Sequence, residues 1–268
     1  MPIDSNAQAI AAVVGLLVFS AWETFKPFFS FFKDRGRDRG KHFVLNLAIG
    51  AFNSVAITLV FVGLWALAAN WAGQNNIGLI NSFRGNVPAA VTFVVAILGF
   101  DLWTYSWHRI NHVVGFFWRF HRVHHSDNKM DVSTASRFHI GEIVLSSLLR
   151  VPVIVILGAT LWELVLYETL MFAVVQFHHA NIVIPDRLDR FLRVFIVTPA
   201  MHKVHHSRVQ PETDSNFSAF LSIWDRIGRS FRMRKDLDEI HFGLVGYDDP
   251  ESQSIAGIAK TPIRKLDS

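Results

Sequence analysis

Apolar residues run in long, almost uncharged blocks along this chain, and the blocks predict membrane helices. Ser5 to Trp22 carries no charged side chain, and at 1.5 Å rise per residue it suits a hydrocarbon core of roughly 30 Å. A cleaved signal peptide is the competing reading, but no positive charge precedes the run, which passes into Glu23 and Lys26 without a small-residue cleavage site. Phe43 to Trp71 is uncharged throughout and reads as the clearest spanning helix, long enough to tilt or bend. The Gly- and Asn-rich connector Ala72 to Asn86 follows, and Val87 to Trp107 crosses again. Ile143 to Phe177 is apolar but interrupted by Arg150, Pro152, Gly158 and Glu163, which predicts a helical hairpin that spans or only dips into the bilayer. From Ile182 the chain is mixed in character, with a polar tail after Tyr247.

Charge orients this pattern. Lys33, Arg35, Arg37, Arg39 and Lys41 lie on one side of the second block, and only Arg84 lies on the other. Basic loops stay cytoplasmic, so the chain is expected to return to the cytoplasmic side at His108. The formal net charge of +4 is modest, and the basic stretches carry no nucleic-acid motif. The absence of cysteine excludes disulfides, thiolate-bound iron–sulfur clusters, thiolate haem and cysteine nucleophiles.

The chemistry is in the histidines. Asp101 to His125, DLWTYSWHRINHVVGFFWRFHRVHH, ends with His108, His112, His121, His124 and His125, and a second HxxHH follows at His202, His205 and His206. Residues three or four apart share a helix face, so His108 and His112 can point into one site, as can His121 with His124 and His125. His178 and His179 fall between the clusters, whereas His42, His139 and His241 read as hydrogen-bonded residues of the fold. So many imidazoles are costly to bury without a cation. One zinc-like ion closes its shell with about four ligands, so two metals are the economical account. Imidazole suits iron, zinc, copper and nickel alike. The glutamate signature of soluble di-iron bundles is missing, as are HExxH and GxSxG. Asp101, a carboxylate in an apolar helix on the histidine face with Tyr105, is a functional candidate. Its alternative is a buried hydrogen bond to Tyr105 or Trp107.

The series DxxxYxxHRxxH (Asp101 to His112), WRFHxxHHS (Trp118 to Ser126), TxxRFHxxE (Thr134 to Glu142), HHAN (His178 to Asn181), TPxMHxVHHS (Thr198 to Ser207), ETDSNF (Glu212 to Phe217) and WDRI (Trp224 to Ile227) resembles the fatty acid hydroxylase and sterol desaturase superfamily. The resemblance spans about Asp101 to Phe231 in the right order. It implies an all-α integral-membrane bundle of about four or five embedded helices, with a histidine-rich helical cap on the cytosolic face holding a dinuclear metal site. The single domain would comprise N-terminal membrane helices over 5–86, a di-iron catalytic core over 87–231 and a tail over 232–268. The resemblance implies two iron ions that use O2 to hydroxylate or desaturate a lipid C–H bond. Their ligands would be His108, His112, His121, His124, His125, His179, His202, His205 and His206, with His178 either ligating or standing behind His179. Asp101 would orient a ligand imidazole through its other ring nitrogen. Arg109, Arg119, Arg122 and Arg137 are expected to meet lipid phosphates or carboxylates behind the ligands.

The lipid substrate would enter from the bilayer. With no GxGxxG fingerprint and no cysteine cluster, electrons would come from a separate ferredoxin or b-type cytochrome with its reductase. A membrane metal-binding or transport protein and a catalytically inactive relative are the rival readings.

Overall fold

The apolar blocks fold as helices because a chain surrounded by hydrocarbon must satisfy its backbone hydrogen bonds internally. The computed structural model describes residues 5–34 and 36–265; Arg35, counted above among the basic residues, lies outside them. Among the described residues the only extended pairings are isolated bridges, Pro27 with Ile182, Ile196 with Leu221 and Ser207 with Phe242.

Helix α1 is Ser5–Phe25. The block read as one span from Phe43 to Trp71 is two helices, α2 (Arg37–Val60) and α3 (Val62–Gln74), meeting at Phe61. Phe61 keeps helical dihedrals and its N–H donates to Ile57 O at 2.8 Å, so the joint is a local interruption rather than a loop. One straight rod from Arg37 to Gln74 would be about 57 Å long, nearly twice the hydrocarbon thickness of about 30 Å. The joint is anchored from the side by Trp65, which is buried and donates its indole N–H to Ser147 O at 3.0 Å.

Helix α4, Ala89–Val113, runs past the expected end at Trp107 and carries both His108 and His112. Val114 turns extended, and α5 (Gly115–His125) folds back against the end of α4. The apolar run of 143–177 forms two helices, α6 (Ile140–Leu157) and α7 (Leu161–His179), separated by Gly158 in the left-handed region at φ 65°. Gly78 (φ 101°) packs on that turn so closely that a Cβ would lie 2.3 Å from Gly158 N. The charges interrupting this run are paired: Arg150 with Glu168, and Glu163 with Arg84 at 2.8 Å. Glu163 also forms a capping box with Thr160.

The remaining helices are short: α8 (Asp186–Leu192), α9 (Pro199–His205), α10 (Gln210–Thr213), α11 (Ile223–Ile227) and α12 (Ile255–Lys260). Helix α9 starts on a Thr198 cap with proline in its first turn. The tail is docked against α5: Arg122 donates to the carbonyls of Thr261 and, at 2.7 Å, Arg264, and Gln253 reaches Ser126 O.

Among the described residues four helices are long and apolar enough to cross a membrane: Ala7–Phe25, α2, α4 and α6. Their outward faces leave large aliphatic side chains uncovered, among them Leu17, Leu59, Leu67 on α3 and Ile156, as an integral membrane protein requires. The apolar core between them gathers Phe61, Trp65, Phe100, Ile154, Leu164 and Tyr167. At the histidine end, Glu23 of α1 accepts the backbone N–H of Val132 at 2.7 Å and of Asn181 at 2.6 Å. The basic α1–α2 turn and the histidine clusters therefore share one end of the bundle.

Candidate metal centre

Two groups of histidines converge, and within each one nitrogen per ring lies within 4.8 Å of all the others. The first comprises His108, His112, His121, His125 and His205; the second comprises His124, His179, His202 and His206. The expectation that His121, His124 and His125 serve one site is therefore corrected. Successive helical residues point about 100° apart, so the His124–His125 and His205–His206 pairs must diverge. The i, i+4 pairs stay together: 108 with 112, 121 with 125, and 202 with 206. Helix α5 thus gives two imidazoles to the first group and one to the second, and the segment around α9 does the reverse. The groups adjoin, with the rings of His125 and His206 stacked at 4.5 Å between centroids.

The ring nitrogens fit a metal. His108 Nδ1–H donates to Phe217 O at 2.7 Å, His179 Nδ1–H to Val175 O at 2.8 Å and His205 Nδ1–H to Ser215 O at 2.6 Å. A carbonyl can only accept, so each neutral ring carries its proton on Nδ1 and aims the Nε2 lone pair inward. Nε2 atoms then approach one another at 3.1 Å (His108 and His121), 3.1 Å (His124 and His179), 3.0 Å (His179 and His202) and 3.1 Å (His202 and His206). Two cis ligands held about 2.1 Å from one ion would stand about 3 Å apart. His112 Nε2, His205 Nε2 and both nitrogens of His125 are buried with no hydrogen-bond partner, a costly state that a cation relieves.

The rings are kept as neutral ligands. Burial, then neighbouring imidazoles, hold His124, His125 and His206 well below the ordinary histidine range. Burial takes His205 to about 3 despite its bond to Ser215 O. Lys203, beside His202, is buried with its Nζ donating to Ala180 O at 3.2 Å. Burial lowers it to about 7, against the pull of Glu23 and Asp189. Negative charge stands one bond further out: Glu142 Oε1 accepts from His121 Nδ1 at 2.9 Å, and Asp214 Oδ1 lies 3.3 Å from His112 Nδ1.

Several expected roles move. Asp101 does not orient an imidazole: its carboxylate accepts from Trp224 Nε1 at 2.8 Å, Leu221 N at 3.0 Å and the Tyr167 hydroxyl at 3.1 Å. It lies too early on α4 to reach a ring nitrogen and instead pins α11 and the loop before it. Tyr105 bonds Ser230 Oγ at 2.9 Å and receives Arg109 at 3.1 Å, again away from the imidazoles. His178 is buried against His202, with centroids 3.9 Å apart, but belongs to neither group. Arg122 and Arg137 are buried instead of facing lipid phosphates: Arg122 holds the tail, and Arg137 contacts Asn46, Val123, Ser126 and Gln253. His42 sits between Asp127 at 2.9 Å and Asp131 at 3.3 Å. Burial would raise Asp127, but His42 and Arg137 hold it well below the usual carboxylate range. His139 caps α6, and His241 is exposed.

Glu142 and Asp214 are the imidazole partners that sequence reasoning left without a role. Each lies inside a quoted motif, Glu142 as its only acid and Asp214 beside Glu212, whereas the carbonyls of Val175, Ser215 and Phe217 leave no sequence signal.

The family model described as fatty acid hydroxylase matches residues 93–230, just over half of the chain. The chain belongs to the fatty acid hydroxylase family. Every histidine of both groups falls within that match. Among curated relatives, human alkylglycerol monooxygenase is 30% identical over 58% of this chain and 33% of its own length. Ornithine lipid hydroxylase OlsE of Rhizobium tropici is 27% identical over 59% of this chain and 47% of its own length. The chain thus spans between a third and a half of these relatives. No solved structure matches it.

Proposed function

We propose that this chain is a membrane-bound non-haem di-iron oxygenase that hydroxylates a C–H bond of a lipid. The observation that carries the reading is the pair of adjoining, all-imidazole groups with inward lone pairs and buried, unpartnered nitrogens. Hydroxylation is favoured over desaturation because the relatives above are named as a monooxygenase and a lipid hydroxylase.

In this reading the first group would hold one iron and the second the other. Bound iron would supply O2-dependent oxidation: one oxygen atom enters the C–H bond and the other leaves as water, with two electrons and two protons from outside. The protein's own task is to present neutral nitrogens in fixed directions, and the carbonyls of Phe217, Ser215 and Val175 do that. Glu142 and Asp214 offset positive charge behind His121 and His112. Lys203, lowered to about 7 by burial, carries less positive charge next to the ions than an exposed lysine would. The acyl chain would approach along the apolar surfaces of α4 and α6, so that a chosen carbon is held near the metals. A ferredoxin or b-type cytochrome, with its reductase, would deliver electrons at the basic end of the bundle, which we place in the cytoplasm.

The test joins metal analysis to lipid chemistry. Purified protein should contain two irons per chain. Cells making it under 18O2 should accumulate a lipid heavier by one labelled oxygen, and cells making His124→Ala should not. At most one iron at saturation, or lipid profiles indistinguishable from the His124→Ala control, defeats the proposal.

A further inference from the structure

Three of the five rings in the first histidine group take their outer hydrogen bond from one stretch of four residues. Asp214 Oδ1 faces His112 Nδ1, Ser215 O accepts from His205, and Phe217 O accepts from His108. The second group takes nothing from this stretch: His179 is oriented by Val175 O of its own helix and His124 by Arg137 O at 3.3 Å.

The stretch is an irregular turn tied down by bonds to other parts of the chain. Asn216 sits in the left-handed region at φ 53°, which asparagine tolerates better than most residues. Its amide bridges Met201 O at 2.9 Å and Arg232 O at 2.7 Å, while its Oδ1 accepts Arg232 N at 2.8 Å. The second latch is Asp225, a fully buried carboxylate on α11. It accepts Phe217 N at 2.7 Å, Ser218 N at 3.0 Å and the Ser230 hydroxyl at 2.8 Å. Asp225 touches no imidazole, yet it fixes the peptide whose carbonyl aims His108. Two of the protein's lone acids, Asp101 and Asp225, thus meet on α11: one pins the helix to α4, and the other uses it to hold the turn.

We propose that Asp214–Phe217, latched by Asp225 and Asn216, is a positioning loop that sets the geometry and affinity of the five-histidine site alone, so that the two metal sites are tuned by separate parts of the chain. The inference rests on the two-metal reading above. Asp225 and Asn216 are positioning residues that act through Phe217, Ser215 and the rings behind them.

The experiment is a Co(II) titration of the full-length, detergent-solubilised protein, followed by the visible absorption of each bound ion. The parent should take up two equivalents. Asp225→Asn should weaken one of them by about tenfold, the lower end of what losing a direct ring partner costs, because it frees the peptide that aims His108, and should shift its absorption bands, with the other unchanged. In a His179→Ala background, where the five-histidine site remains, Asp225→Asn should weaken the surviving equivalent. In a His112→Ala/His121→Ala background, which cuts the first group to three rings as His179→Ala cuts the second, it should leave the surviving equivalent as it was. Asp214→Ala, an exposed change with little consequence for folding, should reproduce the selectivity more weakly. Equal weakening of both equivalents, or of neither, overturns the positioning loop while the two-metal reading stands. A parent that binds fewer than two equivalents overturns both.

Discussion

His121 shows how a single side chain is held ready. Glu142 accepts its Nδ1 proton at 2.9 Å, and Asn111 holds the same carboxylate oxygen at 3.3 Å. Glu142→Gln keeps the shape and removes the charge, so it should weaken the ion of the five-histidine group about tenfold, as read by competition with a metal chelator. The rings also link stability to pH. In the unfolded chain an imidazole takes up a proton near pH 6.5, whereas folded His205 stays neutral to about 3. The unfolded state therefore binds more protons across that interval, and stability falls as pH falls through it. Metal-free protein should melt at progressively lower temperature from pH 7 to pH 5, and a flat profile would contradict the burial of these rings.

Among the elements, α11 meets α4 closely at Gly228, just past its end. A Cβ on Gly228 would lie 1.9 Å from the Tyr105 hydroxyl oxygen, so Gly228→Ala must push α11 away from α4. A cost of about 1–3 kcal/mol is expected for such overpacking, seen as a lower denaturant midpoint, with Tyr105→Phe in the same chain restoring part of it. The long helices were legible because apolar blocks of that length have few other solutions, and the i, i+4 pairing of the histidines follows from helical pitch. The split of each HxxHH between two sites was equally implicit in that pitch. The interruption at Phe61 had no breaker residue to announce it, and the role of Asp101 depended on Trp224 and Leu221, more than a hundred residues away. Ring partners that are backbone carbonyls depend on loop conformation, which residue types do not encode.

At the scale of the molecule, the apolar faces of α1, α2, α4 and α6 require a bilayer, and the basic turn and the histidines lie at the same end of it. Because the chain has no cysteine, a single introduced thiol reports its side without background. Lys41→Cys should resist a membrane-impermeant maleimide in intact cells and react after permeabilisation, while Asn75→Cys at the opposite end of the α2–α3 pair should react at once. The reverse pattern would turn the histidine end outward and overturn the proposed delivery of electrons from the cytoplasm.

The Glu23 carboxylate joins chain segments 109 and 158 residues downstream of it. During synthesis Arg39 of α2 can pair with this carboxylate early, but its two backbone bonds form only after the stretch after α5 and the stretch after α7 have emerged. Assembly of the histidine end is thus a late event in the life of the nascent protein, and a ribosome stalled before Asn181 would display the long helices with His202, His205 and His206 still unmade.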